Sequence, residues 1–150
     1  MKLMKYKGYL KKAKIFMSEA IIDIDNMCYN KAISALWFMI ESLYRAILNY
    51  YRQPIPSRSG LVISKIISFI KGWGVNRTDI YELDAASTLY TLRNEIDHKR
   101  TIATKKCVKR ALLYVRRILK VLENLLRNKV PDIAETIDNI VSRLNKVSID

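Results

Sequence analysis

Lys105-Lys106-Cys107-Val108-Lys109-Arg110-Ala111-Leu112-Leu113-Tyr114-Val115-Arg116-Arg117-Ile118-Leu119-Lys120-Val121-Leu122-Glu123-Asn124-Leu125-Leu126 is the stretch whose spacing decides the fold. At about 100° per residue, Lys105, Lys109, Arg116, Lys120 and the following Arg127 fall within an arc of about 60°, flanked by Lys106, Arg110 and Arg117. The opposite half carries Val108, Ala111, Leu112, Tyr114, Val115, Ile118, Leu119, Val121, Leu122, Leu125 and Leu126. Only Leu113 breaks the division. A segment that separates apolar from cationic side chains at this period is an amphipathic helix, expected from near Ala103 to about Leu126. Its apolar side is broad enough to call for burial in a bundle rather than for lying on a membrane surface.

The same period extends through the rest of the chain, without an alternating strand or an internal repeat, so the fold class is all-α. A first helix is expected over roughly Leu3 to Asp25, with Leu10, Ile15, Ala20, Ile21 and Ile24 buried. A second, from about Tyr29 to Tyr51, is apolar around most of its circumference and belongs at the centre. Gln53-Pro54-Ile55-Pro56-Ser57 ends it, because proline lacks the helical N–H donor and disfavours helix at its predecessor. A shorter third helix, about Leu61 to Lys71, stops at Gly72-Trp73-Gly74. Asn76 or Thr78 then caps a fourth helix running toward His98, with Asp79 and Glu82 suited to its positive end. Its expected core stripe is Tyr81, Ala85, Leu89, Leu92 and Ile96. Pro131, with Asp132 and Glu135, opens a sixth helix. The domain division read from this is 1–130 as a helical bundle and 131–150 as a C-terminal helix packed on it or appended to it.

A chain of 150 residues and 17.5 kDa is long enough to bury one core without covalent staples. No secretory signal is visible at the start, and charged residues interrupt each long apolar run, so an intracellular, cytoplasmic protein with no membrane partner is expected. Cys28 and Cys107 stand apart, without a CxxC partner, and read as buried free thiols. With one histidine in the chain, neither a metal nor another cofactor is expected.

The formal net charge is +13, and it is unevenly placed. Between Lys99 and Val130 eleven cations face one acid, Glu123, and the first fourteen residues hold six lysines and no acid. A polyanion is the natural partner of such a surface.

The only histidine sits in Arg93-Asn94-Glu95-Ile96-Asp97-His98. Asn94 and His98, like Arg93 and Asp97, are four residues apart and adjacent on a helix, whereas Arg93 and His98 lie about 140° apart. Two readings fit this spacing. In one, Arg93 pairs with Asp97, Glu95 pairs with Lys99, and His98 terminates a solvated helix. In the other, the segment acts on RNA, which carries its own 2'-hydroxyl nucleophile. Histidine changes charge close to neutral pH and can move the proton, arginine can hold phosphate charge, and an amide can orient either.

On Arg93-Asn94-Glu95-Ile96-Asp97-His98, on its place late in the penultimate bundle helix, and on the hairpin containing Ala32-Ile33-Ser34-Ala35-Leu36-Trp37, the chain resembles the HEPN family over roughly Leu10 to Leu126. Ribonuclease members carry an arginine, often a polar residue next, and a histidine after four to six intervening residues. The resemblance implies an antiparallel up-and-down four-helix-type bundle with additional short helices, and a homodimer whose two motifs share one cleft. It further implies a metal-independent endoribonuclease with Arg93, Asn94 and His98 as catalytic residues. Lys99, Arg100, Lys105, Lys106 and Lys109 are the expected contacts to the RNA backbone. A role as the toxin of a toxin-antitoxin pair, with a nucleotidyltransferase antitoxin, is also implied. Some such toxins carry a modifiable tyrosine two positions after the histidine; Arg100 stands there in this chain, so that mode of neutralisation is not carried over. The alternative is a noncatalytic module that binds nucleotide or nucleic acid, or that partners a nucleotidyltransferase.

Overall fold

The computed structural model describes residues 5–149. Among the described residues the chain forms helices and no strand: α1 (Lys5–Asp25), α2 (Tyr29–Tyr50), α3 (Ser59–Lys71), α4 (Arg77–Asp97), α5 (Lys105–Leu126) and α6 (Pro131–Leu144). The first-helix start expected at Leu3 lies outside the described residues.

α2 is the axis of the structure. Ala32, Ile33, Leu36, Trp37, Met39, Ile40, Leu43, Ala46 and Ile47 are all buried, together with Tyr44 and Leu48, so apolar side chains leave it over most of its circumference and only the stripe through Lys31, Ser34, Glu41, Arg45 and Asn49 is partly open. α1, α3, α4 and α5 each pack on it. α1 and α4 both run antiparallel to α2: Tyr6 meets Tyr50 and Phe16 meets Phe38, while Leu83 meets Tyr44 and Tyr90 meets Trp37. α5 returns antiparallel to α4, with Arg117 of α5 3.1 Å from Glu82 of α4. The long helices thus form an all-α, up-and-down bundle with the shorter α3 and α6 added.

α6 packs on both α1 and α5 and so closes the wall between the first helix and the fifth. Ile133, Ile137, Ile140 and Leu144 join the same apolar core as the other helices. Its placement is fixed by polar ties at both ends: the Tyr6 hydroxyl donates to Asp132, and Arg143 donates to Ser18 Oγ at 3.0 Å.

Two expected core stripes are displaced. On α1, Ile15 is half exposed, and Tyr6, Ala13 and Met17 take the inward face with Leu10, Ala20 and Ile24. On α4, Tyr81 is largely exposed, and the buried stripe is Leu83, Ala86, Leu89 and Ile96. Apolar residues surround both helices, so periodicity alone does not choose among neighbouring faces; contact with α2 does. Leu113 is exposed, as the spacing of α5 requires. Asn76, not Thr78, caps α4, its Oδ1 accepting from the Asp79 N–H at 2.8 Å. Cys28 and Cys107 are free thiols, half-buried rather than buried.

α1, α2 and α4 end in one backbone device. Met27, Arg52 and Lys99 adopt left-handed φ values of 58°, 57° and 59°. The N–H of the residue after each one donates back to a carbonyl five positions earlier, Cys28 to Asp23, Gln53 to Leu48 and Arg100 to Glu95, at 2.7, 2.8 and 2.8 Å. Glycine usually fills such a position because a Cβ there costs about 1 kcal/mol. Replacing exposed Met27 with glycine should therefore raise stability by about 0.5–1 kcal/mol, visible as a higher urea midpoint at unchanged m-value.

The Tyr6 phenol is pushed up to about 12, first by its hydrogen bond to Asp132 and then by burial. An unfolded tyrosine titrates near 10. The folded value being the higher, the protonated phenol contributes stability fully below about pH 10, and that contribution is lost as pH rises through about 12. Tyr6→Phe should accordingly be less stable than the parent at neutral pH. The gap should close across that alkaline window in parallel denaturation curves.

Candidate functional site

His98 is the C-terminal cap of α4, with φ −88° and ψ 9°, and its backbone N–H donates to the Asn94 carbonyl at 3.0 Å. The chain then turns through left-handed Lys99, and the Arg100 N–H and the Thr101 hydroxyl both reach back to Glu95, at 2.8 and 3.3 Å. Glu95 is thus committed to the turn rather than to the ion pair with Lys99 that the spacing also allowed. The His98 imidazole is exposed and takes no hydrogen bond or ion pair from the described residues. A rigid backbone cap therefore presents a free imidazole at one end of the bundle, next to Lys99 and Arg100, which are also exposed.

Arg93 does not lie on the polar side where the expected core stripe left it. Its side chain is 23% exposed and its guanidinium stacks 4.8 Å from the Phe38 ring of α2. Nε sits 2.9 Å from Asp97 Oδ2 in an ion pair, but off the line a hydrogen bond needs, so this buried N–H keeps no acceptor. Asp97 lines a shallow groove of about 320 Å³ with Glu19, Asp23 and Lys31, which makes that side of Arg93 largely acidic. The structure brings Arg93 to Asp97 and Phe38, and not to His98. Asn94 is half-buried one turn before the imidazole. Phe38 was not legible as part of this site, because the signal that joins it to Arg93 is the α2–α4 crossing rather than any local spacing.

The cations of α5 divide into two groups. Arg116 donates to the Leu144 carbonyl at 3.3 Å, Arg117 pairs with Glu82, and Arg127 pairs with Glu123 at 3.0 Å. These three arginines, which the helical arc counted as nearly unopposed, are engaged within the chain. Lys106, Lys109 and Lys120 are exposed and have no ion pair among the described residues. Lys105 is also exposed, at the start of α5, where Thr104 Oγ1 caps the helix by accepting from the Cys107 N–H at 3.3 Å. The first turn of α5 contains no acid, so Lys105 and Lys106 reinforce its positive end. Lys109 lies beside the tail residues Val147 and Ile149 in a depression of about 270 Å³.

His98, Lys99, Arg100 and the first turn of α5 are thus exposed along one stretch of chain, and the groove beside Asp97 carries the carboxylates Glu19 and Asp23. Among the described residues no cluster of three or more histidine, cysteine or carboxylate side chains converges as a metal site. No described helix is long and apolar enough to cross a membrane. No family model, curated protein or solved structure matches the chain.

The two motif side chains should behave differently when truncated. Arg93→Ala should cost about 1 kcal/mol, from the lost stacking on Phe38 and the helical ion pair. His98→Ala should stay within about 0.5 kcal/mol of the parent, as expected for an exposed side chain without partners. Paired urea titrations measure both, and a large loss in the histidine variant would contradict the free imidazole.

Proposed function

We propose that the protein is a metal-independent endoribonuclease whose site is completed by a second copy of the chain. The observation that carries this reading is the free, exposed His98 imidazole held at the end of α4 directly before the cationic start of α5. In the proposed reaction His98 takes the proton of an RNA 2'-hydroxyl as it attacks the adjacent phosphorus, and the 5'-oxygen leaves with the proton that the imidazolium gives back. The products carry a cyclic phosphate and a new 5'-hydroxyl. Arg93 holds the developing charge on the phosphate oxygens: its Nε faces Asp97, which leaves both Nη groups as donors. Asn94 orients the reacting groups, and Lys99, Arg100, Lys105, Lys106 and Lys109 contact the backbone of the RNA.

Within one subunit Arg93 is engaged with Asp97 and Phe38 rather than with His98, so each would work with its counterpart from a partner. A homodimer therefore belongs to the proposal. The resemblance to HEPN proteins supports the same arrangement, and with it a toxin role opposed by a nucleotidyltransferase. The second reading is a noncatalytic module that binds RNA or such a partner. The Arg93–Asp97 ion pair favours it, because a committed guanidinium has less left to give a phosphate.

Purified protein should cleave RNA with EDTA present, and His98→Ala should lose about 10²-fold or more of that activity while remaining folded. Mixing inactive Arg93→Ala with inactive His98→Ala should restore cleavage, because a mixed dimer contains one intact composite site. Parental activity in the His98 variant would remove the assignment. Salt-dependent RNA binding without cleavage would leave the noncatalytic reading in its place.

A further inference from the structure

A cavity among the described residues lies at the other end of the bundle from His98. It opens between the start of α1, the end of α2 and the segment 51–57, and holds about 840 Å³. That is within the range of cavities that take small organic ligands. Along α2 its Asn49 is about 27 Å from Lys31, which lies beside Asp97 at the His98 end. The two sites share no residue.

Its lining is one-sided in charge. Lys5, Arg45 and Arg52 line it, and among the described residues no carboxylate does. Arg45 is spent on the wall: it donates to the Pro56 carbonyl at 2.9 Å and lies 3.5 Å from Glu41, fixing the proline-bounded segment against α2. Lys5 and Arg52 have no acidic partner among the described residues. Asn49 also lines the cavity and buries its Oδ1 without a hydrogen bond, an acceptor left open to an N–H or O–H of a guest. Tyr9 and Ile55, both half-buried, supply an apolar wall. The inventory is two free cations, a neutral acceptor and an apolar surface inside one concavity. It suits a ligand with a compact anionic end and a flat or apolar body.

We propose that this cavity binds a small organic phosphate ester, with the phosphate between Lys5 and Arg52 and the organic part against Tyr9 and Ile55. Phosphate suits the site better than a carboxylate, because its higher charge and additional oxygens can engage both cations at once. The site is independent of the RNA-cleavage reading and stands if that reading fails.

Arg52 makes the test clean. It occupies a left-handed backbone position, φ 57°, where glycine is the unstrained residue, so Arg52→Gly removes the guanidinium without threatening the fold. Met27→Gly makes the same backbone change at the opposite end of α2 and serves as the control. Isothermal titration with ADP should give saturable binding at one site, with ribose 5-phosphate weaker and adenosine absent. Lys5→Ala and Arg52→Gly should each weaken ADP roughly tenfold, and Met27→Gly should not change it. Absence of saturable ADP binding, or undiminished binding in Arg52→Gly, would overturn the proposal, as would adenosine binding as tightly as ADP.

Discussion

Burial of α2 is the constraint on which the rest of the structure depends. A helix with apolar side chains around most of its circumference can leave only a narrow stripe to water, here Lys31, Ser34, Glu41, Arg45 and Asn49, so the chain must cover the rest. α1, α3, α4 and α5 do this directly. The hydrogen bond from the Tyr44 hydroxyl to the Leu83 carbonyl, at 2.9 Å, shows how closely the covering helices approach, because the only polar atom on that side chain finds its partner inside the core. Burial removes the option of ionising that phenol, whose pKa is pushed far up by desolvation. The orientation of Arg93 follows from the same constraint: α4 must turn Leu83, Ala86 and Leu89 toward the core, and this brings the guanidinium over Phe38.

The helices were legible in the sequence because their signals are local. Proline in the segment after α2, the glycines around Trp73, the Asn76 cap and the Pro131 start each act within a few residues. α5 was legible in detail, down to the exposed Leu113, because its two faces differ sharply in polarity. α1 and α4 were legible as helices but not in rotation, since Ile15 and Tyr81 look as suitable for a core as Met17 and Leu83 do. The ends of α1, α2 and α4 carried little signal, because their left-handed caps use Met27, Arg52 and Lys99 where glycine would have announced the turn.

The candidate site was legible in composition and not in geometry. The spacing from Arg93 to His98 gave the neighbours correctly, including the contact of Arg93 with Asp97, because those relations belong to a single helix. It could not give Phe38, Glu19 or Asp23, which reach the same region from other helices. Nor could it distinguish lysines of α5 that face solvent from arginines that tie helices together. That distinction needs Glu82 and the Leu144 carbonyl to be in place.

The closing position of α6 bears on the order in which the molecule is made. Tyr6 and its partner Asp132 are 126 residues apart, so one of the ties of the first helix waits until α6 has been synthesised. Until α6 arrives, the edges of α1 and α5 that it covers remain open to water, and the nascent bundle has an unclosed apolar seam. A ribosome that stalls or releases the chain before Ile133, Ile137 and Ile140 have emerged would leave a sticky, incomplete protein. Closure of the bundle is thereby coupled to the synthesis of α6.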